Sequence, residues 1–241
     1  MIFVETPSNP GIDIIDLKWL ADLAKKNNLL LVVDNCFATP YLQQPLKLGA
    51  DISIHSATKY IDGQGRTLGG IILGSAELIK QIEGFARHSG PAMSPFNAWL
   101  LSKSLETLAV RMDRHCENAF KVATFLESHS NVKKVMYPFL ESHPQYEIAK
   151  RQMKQGGGIV TFVIEGGVQA AANFMDRLKM FSISANLGDT RSIATHPATS
   201  THSKLTEEQR LEVGIEQGTI RLSVGLEHVD HILKDVKQAL S

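Results

Sequence analysis

Lys59 stands in an unusual setting for a lysine. It follows the β-branched run Ile52-Ser53-Ile54, sits among the hydroxyl residues Ser56 and Thr58, and precedes a turn holding Gly63, Gly65, Gly69 and Gly70. An exposed loop position is the ordinary fate of a lysine. Here, hydroxyls and local backbone N–H groups would suit a phosphate, and an amine in a desolvated site loses basicity and becomes a nucleophile and base. Lys59 is therefore read as a catalytic amine that forms a Schiff base with a cofactor aldehyde. The glycines lack the strand-to-helix context of a dinucleotide loop and are read as a turn around the lysine.

Asp34 ends the apolar run Leu29-Leu30-Leu31-Val32-Val33. A carboxylate there is costly unless donors or a cation meet it. Taken alone it is more often the cap of the next segment; as a functional group it would face a pyridinium nitrogen and keep that ring protonated. Arg221 lies within the apolar strand Thr219-Ile220-Arg221-Leu222-Ser223 and needs an anion. That anion is either an internal glutamate or a substrate carboxylate held by a bidentate clamp. His196 and His202 have acids nearby but match no standard metal-ligand spacing, so no metal is expected.

The elements that position these residues follow from the hydrophobic pattern. Ile2 to Glu5 reads as a strand, Ile12 to Lys26 as a helix with Asp13 and Asp16 near its start, and the run to Asp34 as a strand buried on both faces. This is a right-handed βαβ unit with parallel strands. Ile52 and Gly70 open two further strands. Ligands bind beyond the carboxyl ends of strands in open α/β sheets, and Asn9, Asp34 and the Ser56-Thr58-Lys59 cluster all fall on that rim. Ser94-Pro95 opens a long helix to about His129, with a kink possible along it. Strands are expected at Val132–Met136, Ile159–Ile164, Phe181–Ser184 and Thr219–Ser223. Helices are expected at Gln145–Met153, Gln169–Leu178, Thr206–Val213 and Val229–Leu240. The second half reads as a smaller α+β unit.

Composition narrows the function classes. The 241 residues are 43% hydrophobic and 21% charged, with 25 Lys+Arg against 25 Asp+Glu. That is a globular composition with no basic stripe for a phosphate backbone, so nucleic acid is not an expected partner. The two cysteines, Cys36 and Cys116, make no disulfide framework, and no apolar run reaches the length of a membrane span. A cytoplasmic address with no membrane partner is expected.

Five segments carry a family resemblance: Glu5-Thr6-Pro7-Ser8-Asn9-Pro10, Val33-Asp34-Asn35, His55-Ser56-Ala57-Thr58-Lys59-Tyr60, Asn186-Leu187-Gly188-Asp189 and Ile220-Arg221-Leu222-Ser223-Val224-Gly225. In this order they resemble the pyridoxal-phosphate enzymes of cysteine and methionine metabolism, the transsulfuration family. The resemblance covers essentially the whole chain. It implies the aspartate aminotransferase-like α/β fold, with residues 1–108 as the C-terminal part of the cofactor-binding large domain and 109–241 as the small domain. It implies pyridoxal 5'-phosphate held by Lys59, with Asp34 on the ring nitrogen, Ser56 and Thr58 on the phosphate, and Asn9 by the ring hydroxyl. Arg221, Asn186 and Asn9 would bind the substrate.

The segments Ser56–Arg66 and Ser94–Trp99 are most like the branch that replaces the γ-ester of O-succinylhomoserine with sulfide to give homocysteine. Cystathionine γ-synthase or γ-lyase chemistry is the alternative; Asn186, where many lyases of the family carry serine, speaks against the lyase. The family also implies a homo-oligomer. Its members carry a long N-terminal region before the strand that opens here, with a ring-stacking tyrosine and a Gly-Met phosphate contact, and none of those motifs occurs in this sequence. The expectation is a truncated chain, inactive alone or persisting as a binding or assembly module.

Overall fold

A computed structural model describes residues 1–241. The first half builds a four-stranded sheet in the order β1-β2-β3-β4. Strands β1 (Ile2–Glu5), β2 (Leu31–Asp34) and β3 (Ile52–Ser56) are parallel, and β4 (Gly70–Gly74) joins β3 antiparallel. Helix α1 (Leu17–Lys26) crosses between β1 and β2 and buries Leu17, Leu20, Ala21 and Ala24 against Leu31 and Val33. Its last turn carries Lys25 and Lys26, which suits the helix dipole.

The helix expected from Ile12 begins later, at Leu17. Asp16 is its N-cap and accepts from the Trp19 N–H at 3.0 Å. The preceding residues are taken up by other partners: the Ile15 N–H donates to Thr6 Oγ1, the Ile15 carbonyl accepts from Gln152, and Ile12 and Ile14 are buried in a second cluster. Helical spacing in Ile12–Leu17 thus reflects burial on the other half of the molecule. The strand read from Leu29 is also shorter, because Leu29 and Leu30 are exposed.

Short helix α2 (Thr39–Leu42) and a 3-10 turn, Pro45–Leu48, lead to β3. After β4 come α3 (Ala76–Ser89), α4 (Pro95–Leu105) and α5 (Leu108–Glu127). The single long helix expected from Ser94 is thus two helices, parted at Glu106 and Thr107. Along α5 the buried face serves two cores. Leu108, Met112 and Cys116 join Phe37, Tyr60 and Ile159; Ala119, Val122 and Leu126 join Val160, Phe162 and Leu222.

The second half forms a five-stranded sheet in the order β5-β6-β9-β8-β7, from β5 (Val132–Met136), β6 (Ile159–Ile164), β7 (Ser182–Ile183), β8 (Ile193–Thr195) and β9 (Thr219–Ser223). Helices α6 (Tyr146–Gln152), α7 (Gly167–Arg177), α8 (Glu207–Glu212) and α9 (Val229–Ala239) lie near their expected places. Strand β8 was not anticipated. It pairs antiparallel with β9 across Arg221. No helix of the chain is long and apolar enough to cross a membrane.

Candidate active site

The rim beyond β1, β2 and β3 gathers the candidate residues. Lys59 sits in a wide helical turn, Ala57–Ile61, directly after β3, and its own backbone departs from helical values (φ −88°, ψ −126°). Arg111, buried on α5, fixes this turn by donating to the carbonyls of Tyr60 (2.6 Å), Ile61 (3.2 Å) and Ser104 (3.0 Å). Each is a charge-assisted bond to a backbone carbonyl, and the Ser104 carbonyl also accepts from Thr107. Thr58 Oγ1 ties the glycine turn by accepting from the Gly69 N–H at 3.2 Å. Its hydroxyl is therefore engaged within the chain, whereas that of Ser56 makes no capping bond.

Lys59 Nζ donates to Asn186 Oδ1 at 2.6 Å. The same asparagine receives Arg221 through its main chain: Nη2 donates to the carbonyls of Asn186 (3.1 Å) and Ala185 (2.9 Å), and to Thr195 Oγ1 (3.3 Å). Nη1 donates to Asn9 Oδ1 at 2.9 Å. Four candidates from four chain-distant segments are thus one hydrogen-bonded group. Asp34 lies on the neighbouring strand end and accepts from the Cys36 N–H at 3.0 Å.

Electrostatics distinguishes these residues from ordinary ones. Arg221 is 1% exposed, yet all its partners are neutral and its Nε has none. Burial lowers it to about 10, opposed by charges on Tyr60 and Glu5. The internal glutamate that a structural ion pair would need does not contact it. Burial likewise lowers the Lys59 amine, with the Arg221 charge adding to the effect and Cys36 opposing it. Asp34 is raised by burial, and its Cys36 N–H bond pulls the other way.

Sequence reasoning missed two participants. Arg111 falls on a helix face that also buries Met112, His115 and Asn118, and a cation at core spacing was the available signal. Glu5 is the partner of Asp34 across the β1–β2 register, which no local pattern reveals.

Gly188 brings the Asn186 loop against the lysine turn. It has φ +76°, its N–H donates to Ser223 Oγ at 2.9 Å, and a Cβ there would lie 2.7 Å from the Tyr60 nitrogen and 3.0 Å from the Lys59 carbonyl carbon. Gly188→Ala is expected to cost about 2–5 kcal/mol through backbone strain and overpacking. Thermal unfolding, with Gly84→Ala as a control at a site open to solvent, measures it.

The arrangement is an α/β rim with a depressed lysine amine, a carboxylate without a cation and a buried arginine without an anion. Such a set complements a pyridinium aldehyde and an amino acid. The comparisons agree. A family model described as Cys/Met metabolism PLP-dependent enzyme matches residues 1–241.

The chain belongs to that family, whose members are pyridoxal-phosphate-dependent enzymes of sulfur amino-acid metabolism. It is 49% identical over 241 residues to an O-succinylhomoserine sulfhydrylase of Pseudomonas aeruginosa, covering 100% of this chain and 60% of that protein. It is 46% identical over 243 residues to an L-methionine gamma-lyase of Fusobacterium nucleatum subsp. polymorphum, covering 100% of this chain and 62% of that protein. A cystathionine gamma synthase from Xanthomonas oryzae pv. oryzae, solved with cystathionine, superposes with a TM-score of 0.96 at 41% identity, covering 99% of this chain and 62% of that one. The aspartate aminotransferase-like fold is thereby shown. The chain spans about 60% of the length of the curated relatives it matches.

Proposed function

We propose that the protein replaces the γ-ester of an O-acylhomoserine, O-succinylhomoserine foremost, with sulfide to give homocysteine. The observation that carries this reading is the 2.6 Å bond from Lys59 to Asn186, whose main chain also holds Arg221. An amide oxygen accepts from the amine without being able to take its proton, so Asn186 orients Lys59 beside the carboxylate site without changing its charge.

In this proposal pyridoxal 5'-phosphate, when bound, supplies an aldehyde for the amine and a protonated ring that withdraws electrons from the substrate. Lys59 is its attachment point, Asp34 the partner of the ring nitrogen, Ser56 and Thr58 the phosphate contacts, and Asn9 a neighbour of the ring. Arg221 binds the substrate carboxylate, with Asn9 and Asn186 orienting its guanidinium. With the cofactor bound, the Lys59 amine would take the Cα proton and then carry protons between the substrate carbons, so that succinate leaves Cγ and sulfide bonds there. Its lowered basicity suits both giving and taking a proton near neutral pH.

The assignment of residues 1–108 to the cofactor domain and 109–241 to the small domain belongs to the same proposal, as do a cytoplasmic address and a homo-oligomer. The last is supported by exposed apolar side chains, Phe85 on α3 and the neighbouring Phe96 and Trp99 on α4, with Leu68 exposed as well.

The test supplies the chain and pyridoxal phosphate with O-succinylhomoserine and either sulfide or cysteine, or with methionine alone. Where the chain turns over, homocysteine from sulfide is the expected product. Preference for cysteine identifies a cystathionine γ-synthase, and release of a thiol from methionine a γ-lyase. Cofactor binding with no turnover in any mixture identifies a binding module.

A further inference from the structure

The last residues of β1 and β2, Glu5 and Asp34, are direct partners in a parallel ladder. Partners of this kind project to the same face of a sheet, so two carboxylates stand together on the rim that carries Lys59 and Arg221. Neither takes part in any ion pair of the chain. Glu5 is half-buried, near the Asn9 N–H, and feels the charge of Asp34 on one side and of Arg221 on the other.

Two carboxylates in one desolvated site do not both ionise at their ordinary pH, and they titrate as a pair. Burial first and the Asp34 charge second push Glu5 up to about 7; the Asn9 N–H and Arg221 oppose them. The groups facing Glu5 are Asp34 and the Cys36 thiol from β2 and its exit, and Arg221 from β9, with Lys59 acting on Cys36 beyond.

We infer that Glu5 is a positioning residue of the site: with Asp34 it forms a two-carboxylate seat for a cationic ring nitrogen, and it releases its proton to solvent as positive charge arrives beside Asp34. The same proton returns from solvent when an anion neutralises Arg221. Only the Glu5 O–H bond is broken and remade. This rests on the roles proposed above for Asp34 and Arg221.

The test follows side-chain carboxyl carbons of the 13C-labelled chain by NMR against pH, with Glu5→Gln assigning the Glu5 signal. The expected result is a Glu5 midpoint near 7 that falls by about one unit or more in Asp34→Asn, and falls likewise when pyridoxal phosphate is added.

Stability gives a second readout. A glutamate raised in the folded state destabilises the fold progressively as pH rises from its unfolded value through its folded one. Glu5→Gln should therefore raise the unfolding temperature by a few degrees at pH 8 and leave it unchanged at pH 4. A Glu5 midpoint in the ordinary carboxylate range, or one unmoved by Asp34→Asn, overturns the inference. A Schiff-base absorbance with an unmoved Glu5 midpoint overturns it while leaving the cofactor reading intact. Absence of that absorbance removes the cofactor reading and the seat with it, and Asp34→Asn still reports whether the two carboxyls are coupled.

Discussion

Replacing Lys59 with alanine is expected to abolish Schiff-base absorbance with pyridoxal phosphate and to lower turnover by at least ~10²–10⁴-fold, the range attributed to one positioned acid–base group. Stability should barely change. Lys59 is half-buried, and its one bonding partner is the neutral oxygen of Asn186, itself only half-buried. Losing such a bond costs about 0.5–1.5 kcal/mol, and relief of the penalty on a desolvated ammonium offsets part of that. Lys59→Arg should fail equally, because a guanidinium keeps its charge at every accessible pH and offers no nucleophilic amine. Absorbance after mixing with cofactor, beside circular dichroism and thermal unfolding, separates lost chemistry from lost fold. A Schiff base formed by Lys59→Ala at the parent's rate would place the reactive amine on another lysine.

The parts of this site legible in the sequence are those whose chemistry is local. Lys59 announces itself by Ser56 and Thr58, and Asp34 by the apolar run it terminates. The parallel order of β1, β2 and β3 follows from helix-length crossovers, which is why the rim could be drawn before the structure. The rest depends on contacts distant in sequence. Glu5 becomes a partner of Asp34 only once β1 and β2 are in register. The start of α1 was misjudged because Ile14 precedes Leu17 at helical spacing, yet shares a buried cluster with Ile12, Met153 and Ile159. Strand β8 is three residues long and bracketed by polar ones, too short for any periodicity to show. It nevertheless supplies Thr195 to Arg221.

Arg221→Met is expected to weaken binding of amino-acid carboxylates by roughly 10²-fold or more, the loss that follows when a charge-assisted bidentate contact of a few kcal/mol is removed. It should change stability far less than the depth of the residue implies. Two effects compete. Removing the guanidinium leaves Asn9 Oδ1, Thr195 Oγ1 and the carbonyls of Ala185 and Asn186 short of a donor, at about 1–3 kcal/mol for each that stays buried and unpaired. Against this, a buried charge with no counter-ion is itself expensive by several kcal/mol, and an apolar side chain of similar length relieves that cost. Arg221 sits at 1% exposure among neutral acceptors with its Nε unpaired, so the relief is large and the terms nearly cancel. An arginine kept for the fold would behave in the opposite way, with a carboxylate beside it and a steep loss of stability on replacement. Arg221→Lys sharpens the comparison: it retains a charge but not the planar fork, so carboxylate affinity should fall while the unfolding temperature stays near that of the parent. Titration of an amino acid into the cofactor-loaded protein, set beside thermal unfolding of the same variants, measures both quantities. A large drop in unfolding temperature with carboxylate affinity unchanged would assign Arg221 to the fold and leave the carboxylate to another residue.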